Sequence, residues 1–86
     1  MNIHSVHFVG IGGTAMASTA AALRERGFRV TGSDQNVYPP MSTFLEEREI
    51  PVMSGYAESN LDSKPDLVVI GNVISRGNPE AEAVLE

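Results

Sequence analysis

The feature that most constrains this chain is a run of glycines set between two patterns of different period. Gly10-Ile11-Gly12-Gly13-Thr14-Ala15 follows the apolar run Val6-His7-Phe8-Val9 and precedes a segment in which Met16, Ala20 and Leu23 recur at i, i+4 and i+7. The first pattern is that of a buried strand, the second that of a helix. The junction fits G-x-G-x-x-G/A. In that pattern Gly10 permits the tight turn, Gly12 lets a phosphate approach the backbone, and Ala15 permits close packing of helix on strand. The N–H groups of Gly13, Thr14, Ala15 and Met16 then lack intrahelical partners. With the helix dipole behind them they can hold a diphosphate without a lysine. A βα turn that binds nothing is the plain alternative, and the strand–helix setting weighs against it.

The remainder of the chain alternates in the same way. A helix is expected from about Gly13 to Arg26, kept slim by Ala15, Ala17, Ala21 and Ala22, with Gly27 as its C′ residue. Phe28 to Thr31 reads as a second strand closed by Gly32-Ser33-Asp34. Asn36 to Pro40 reads as a loop, and Pro39 or Pro40 opens a helix to about Glu49 with Met41, Phe44 and Leu45 on one face. Pro51 to Ser54 is a short edge strand, and Ser59–Leu61 is one turn of helix. Asp66 to Gly71 is the clearest buried strand, and Asn78-Pro79-Glu80 caps and opens a last helix. Such alternation predicts an α/β fold, a Rossmann-like open parallel sheet of order 3-2-1-4 with helices on both faces. The topological switch point then lies between strands one and four, where ligands of such sheets bind. Gly10–Met16, Gly32–Asn36 and Gly71–Asn78 meet there. Residues 1–86 are expected to form a single domain, cut short before a fifth strand.

Charge and composition narrow the partners. The 86 residues carry 6 basic and 11 acidic side chains, a net charge of −5, and no cysteine. That length permits one small domain, burying roughly 60% of its surface. Disulfide frameworks and thiolate metal sites are excluded. An acidic chain without a Lys/Arg cluster is a poor partner for nucleic acid or anionic membranes. No apolar run approaches the roughly 20 residues of a membrane span. Met1-Asn2-Ile3-His4 has neither the charge nor the apolar stretch of an export signal, so a cytoplasmic location is expected. Any attraction for an anion must therefore be local.

Other residues carry two readings each. Asp34 ends the second strand, where a carboxylate can accept hydrogen bonds from a sugar or base; it also suits an Asx turn in Ser33-Asp34-Gln35-Asn36. Asn72 and Arg76, after the fourth strand, can reach a phosphate or sugar across the crevice, or belong to a solvated loop. His4 and His7 lack metal-ligand spacing and read as structural. Ser42 and Thr43 have no partnered base and read as a helix start, Met41 and Met53 read as core filler, and Tyr38 reads as turn packing, with stacking on a ligand its other reading. There is no G-x-x-x-x-G-K-[ST] to hold ATP with Mg²⁺ and no nucleophile–base pair. The residues describe a binding unit. The first half of a nicotinamide-dependent dehydrogenase, with Asp34 on the adenosine ribose, accounts for the glycines equally well.

His7-Phe8-Val9-Gly10-Ile11-Gly12-Gly13-Thr14-Ala15-Met16 resembles the opening of the muramyl ligases, and Thr31-Gly32-Ser33-Asp34 resembles the end of their second strand. Tyr38-Pro39-Pro40-Met41 tips the likeness from the branch that adds L-alanine to the branch that adds a murein tripeptide. Ile70-Gly71-Asn72 and Arg76-Gly77-Asn78-Pro79 are similar to that branch's fourth-strand loop. The resemblance covers nearly the whole chain. It implies the first of three domains, the one that binds UDP-N-acetylmuramate. The diphosphate would lie on Gly12 to Met16, and the uridine near Ser33, Asp34, Asn72 and Arg76. ATP and Mg²⁺ would belong to an ATPase domain and, with a C-terminal domain, to the rest of the parent enzyme.

Overall fold

A computed structural model describes residues 3–71 and 77–85 of the chain. The elements, in order, are strand β1 (Ser5–Val9), helix α1 (Thr14–Glu25), strand β2 (Arg29–Asp34), helix α2 (Met41–Glu47), strand β3 (Val52–Ser54), a 3-10 turn (Glu58–Leu61), strand β4 (Leu67–Ile70) and helix α3 (Pro79–Leu85). The sheet order is β3-β2-β1-β4 and every pair is parallel, as the alternation predicts.

The period of the strands sorts their side chains onto two unlike faces. Val6 and Phe8 of β1 and Val30 of β2 point to one face, where they pack with Ile11, Ala17, Ala20, Leu45 and Ile50 in the apolar core. Helices α1 and α2 cover that side. On the other face stand His7 of β1 and Ser33 of β2, both buried, joined to Glu80 of α3. Helices thus flank both faces, and the second face carries a buried polar cluster beside the apolar Val9.

Helix α1 ends as its sequence predicts. Gly27 takes φ +96°, and its N–H and that of Phe28 return to the carbonyls of Arg24 and Leu23. This closure satisfies the last carbonyls of the helix. Helix α2 ends sooner than expected, at Glu47. The same closure forms there with Glu49 at φ +57° and Ile50 N–H on the Leu45 carbonyl. Strand β2 runs through Gly32, Ser33 and Asp34, which were expected to close it, because β3 pairs with those three residues.

Three further expectations are corrected. Asp66–Gly71 is not a strand buried on both faces: Leu67 and Ile70 of β4 are 43% and 37% exposed, since β4 pairs only with β1 among the described residues. Ala15 does not pack the helix on the strand; it is exposed, and Ala17 and Ala20 make that contact a turn later. Tyr38 does not pack into its turn but is 67% exposed.

Candidate functional site

The glycine turn is shaped by the end of β2. Gly10 adopts φ +87°, in the region that favours glycine. The N–H groups of Gly10 and Ile11 both donate to the Ser33 carbonyl, at 2.8 and 3.0 Å. Ile11 turns inward, fully buried, over Gly32; a Cβ on Gly32 would lie 2.7 Å from the Ile11 Cβ. The next N–H, that of Gly12, donates to Asp34 Oδ2 at 2.7 Å. The first helical bond is Ala17 N–H to the Gly13 carbonyl at 2.8 Å. Between these, the N–H groups of Gly13, Thr14, Ala15 and Met16 meet no acceptor among the described residues. Gly13, Thr14 and Ala15 are exposed, and the first turn of α1 carries no acidic side chain. Among the described residues the amide cluster expected from the sequence therefore has no partner, at the positive end of a 12-residue helix.

Asp34 makes part of the Asx turn and otherwise spends its carboxylate on the protein itself. Its Oδ1 accepts from the Asn36 N–H at 3.4 Å, a loose Asx contact, and from the Tyr56 hydroxyl at 3.4 Å. Burial, and then the adjacent Asp34 charge, push the Tyr56 hydroxyl above its ordinary value. Asp34 captures the Gly12 N–H, and the unpartnered run begins at the next residue, Gly13. Asp34 also lines a groove of about 610 Å³ with Val37, Ser42, Ile50 and Val52.

The end of β4 lies against the same turn, as a switch point requires. Gly71 N–H donates to the Val9 carbonyl at 2.9 Å, and a Cβ on Gly71 would come within 3.6 Å of the Met16 Cε. Asn72 and Arg76 lie outside the described residues. Past them, Asn78 caps α3, its Oδ1 accepting from the N–H groups of Glu80 and Ala81 at 3.0 and 3.1 Å.

Sequence reasoning missed the cluster beneath the crevice. Glu80, fully buried, accepts on Oε2 from Ser33 Oγ at 2.6 Å and His7 Nε2 at 2.7 Å. Its Oε1 accepts from the Asn60 Nδ2 at 2.5 Å and the Ala57 N–H at 3.2 Å. Burial pushes the Glu80 carboxyl up, but the bonds from Ser33, Asn60, His7 and Ala57 outweigh it and hold the group below the usual carboxylate range. His7 Nδ1 contacts Thr31 Oγ1 at 2.7 Å, so His7 is structural, as expected, though within a charged network. The Ser33 hydroxyl donates its proton here, and the Ser33 carbonyl serves the turn. The available signal was a polar residue, His7 and Ser33, in each of two adjacent buried strands. Buried polar groups need partners.

The family model "Mur ligase family, catalytic domain" matches residues 5–86. The UDP-N-acetylmuramate–L-alanyl-gamma-D-glutamyl-meso-2,6-diaminoheptandioate ligase of Escherichia coli (strain K12) is 56% identical over 81 residues, covering 94% of this chain and 18% of that protein. The UDP-N-acetylmuramate–L-alanine ligase of Clostridium acetobutylicum is 43% identical over 75 residues, 87% of this chain and 16% of that protein. Among solved structures, the UDP-N-acetylmuramate:L-alanyl-gamma-D-glutamyl-meso-diaminopimelate ligase from Neisseria meningitides superimposes with a TM-score of 0.91 at 47% identity, over 98% of this chain and 26% of that one. The chain spans less than a fifth of the length of these curated relatives.

Proposed function

The chain belongs to the Mur ligase family, and from that premise we propose that its residues form the UDP-N-acetylmuramate-binding domain of a larger ligase. The observation that carries this reading is the set of free amides at Gly13, Thr14, Ala15 and Met16 behind the Gly10 turn. Oriented N–H groups at a helix start bind phosphate oxygens and need no compensating side-chain charge. That suits a chain whose net charge of −5 repels anions at long range. The diphosphate lies on these amides. The uridine lies toward Asp34, with Asn72 and Arg76 its further candidates from the sequence. The groove beside Asp34 gives that end of the site apolar walls.

The parent enzyme joins the nucleotide sugar to an amine, in a step driven by ATP with Mg²⁺. We assign both to the other domains of the parent, since the sequence read here has no G-x-x-x-x-G-K-[ST]. The contribution of these residues is to bind and orient. The murein-tripeptide branch is favoured for the parent, because the relatives at 56% and 51% identity carry that ligase's name and those at 36–43% carry the L-alanine ligase's. The dehydrogenase reading finds no support, since every relative reported above is named a ligase. Among the described residues no helix is long and apolar enough to cross a membrane.

Calorimetry on the 86-residue chain tests the proposal. Saturable binding of UDP-N-acetylmuramate with no response to NADH is the expected result. Binding of NADH with none of the sugar nucleotide would overturn it. A G-T-x-G-K-[ST] coding segment within the 40 codons after Glu86 in the parent gene would independently support the ligase assignment.

A further inference from the structure

Glu80 stands out as a fully buried carboxylate in a small domain with few charges inside. Burying such a group is costly, and an apolar residue often serves stability as well. What a carboxylate adds is direction, because each oxygen gathers specific donors. Its two oxygens lead by separate routes to the same place. From Oε2 the route runs through the Ser33 hydroxyl; the Ser33 carbonyl then receives both Gly10 and Ile11 N–H. From Oε1 it runs through Asn60, whose Nδ2 also donates to the Gly55 carbonyl at 3.0 Å. The Gly55 N–H donates to the Asp34 carbonyl at 2.8 Å, and the Asp34 side chain holds the Gly12 N–H. Both routes close on Gly10–Gly12, the residues that aim the free amides.

Resting on the reading of those amides as the diphosphate site, we propose that Glu80 is a positioning residue. It braces the glycine turn from beneath the sheet through Ser33 and through Asn60–Gly55–Asp34. It also pins the start of α3 against the sheet. No ligand atom touches Glu80 in this scheme. The His7 imidazole, with Nε2–H toward Glu80 and Nδ1 toward Thr31, keeps the carboxylate from rotating out of line.

The test uses the 86-residue chain and two readouts. The first is the backbone amide spectrum of Gly10–Met16 without ligand, and the second is the Kd for UDP-N-acetylmuramate. Glu80→Gln, Ser33→Ala and Leu23→Ala, a packing variant at the far end of α1, are compared under conditions where urea unfolding shows each to be folded. Glu80→Gln is expected to shift the Gly10, Ile11 and Gly12 signals and to raise Kd on the order of tenfold. Ser33→Ala shifts Gly10 and Ile11 with less effect on Gly12. Leu23→Ala leaves the turn signals and Kd in place despite lower stability. Unmoved turn signals in Glu80→Gln, or an equal rise in Kd in Leu23→Ala, would overturn the proposal. If Glu80→Gln does not fold, Ser33→Ala decides by the same readings. If the parent sequence binds no sugar nucleotide, the diphosphate reading fails, and the amide spectrum alone decides whether Glu80 sets the turn.

Discussion

At Gly12 an added Cβ would lie 2.7 Å from Asp34 Oδ2, 3.2 Å from its Cγ and 3.4 Å from Val37 Cγ2. At Gly13 the nearest atom would be the Met16 Cγ at 3.8 Å, and the backbone there is extended, at φ −68° and ψ 144°. The two neighbours therefore answer differently to the same change. Gly12→Ala drives the Asp34 carboxylate off the Gly12 N–H and should cost about 1–3 kcal/mol in urea unfolding. Gly13→Ala should leave stability within about 0.5 kcal/mol of the parent. Its methyl enters the open space before the amides, so it should still weaken UDP-N-acetylmuramate binding by calorimetry. A Gly12→Ala chain of unchanged stability would show that Asp34 does not bear on the turn. The glycine pattern itself was legible in the sequence, with its free amides. The contact of Asp34 with Gly12 was not, because it spans 22 residues and depends on register. Val9 pairs with Ser33, which sets Asp34 one step beyond, level with the turn.

Among the elements, legibility followed whether the backbone's special positions hold the residue that favours them. Helix α1 stops at a glycine in the left-handed region, and its end was readable. Helix α2 stops by the same closure with a glutamate at φ +57°, so its end was read two residues late. A side chain in that region costs roughly 1 kcal/mol relative to glycine. Glu49 has a partner, Arg24, but at 3.5 Å and with the carboxylate 82% exposed. Such a surface pair contributes little. Glu49→Gly should therefore raise the urea midpoint, by an amount equivalent to about 0.5–1 kcal/mol of unfolding free energy, with the circular dichroism of the helices unchanged. A lower midpoint would mean that the Arg24 pair outweighs the strain. Strand β4 misled for a different reason. A continuous run of β-branched residues reports what a strand can bury, while its place in the sheet order decides what it does bury.

Across the whole molecule, the strand order and the meeting of the glycine turn with the end of β2 and with Gly71 could be read from alternation alone. The division of labour between the two faces could not. Apolar residues announce a core by number, whereas the polar face is organised by one glutamate whose partners come from three other elements. That arrangement fixes how stability should depend on pH. The Glu80 carboxyl is held below its ordinary value against the pull of burial, by bonds that need it charged. Asp66 is held low too, first by the His4 and then by the Ser5 N–H, at an exposed site that ties β1 to the start of β4. For a depressed carboxyl the stabilisation is complete above the unfolded-state value, about 4.3 for Glu and 3.9 for Asp, and is lost as pH falls through the folded-state value. The Tyr56 hydroxyl is shifted the other way, by burial and by Asp34. Its stabilisation is complete below about pH 10 and is lost as pH rises toward the folded-state value. Thermal melts across pH should therefore show a plateau between two falling limbs. Glu80→Gln should flatten the acid limb more than Asp66→Asn does, since only Glu80 joins the strands to α3 and the 3-10 turn. Tyr56→Phe should flatten the alkaline limb and leave the acid one. An acid limb that survives Glu80→Gln unchanged would place acid sensitivity in the surface carboxylates, and the polar face would then be held by packing instead of charge.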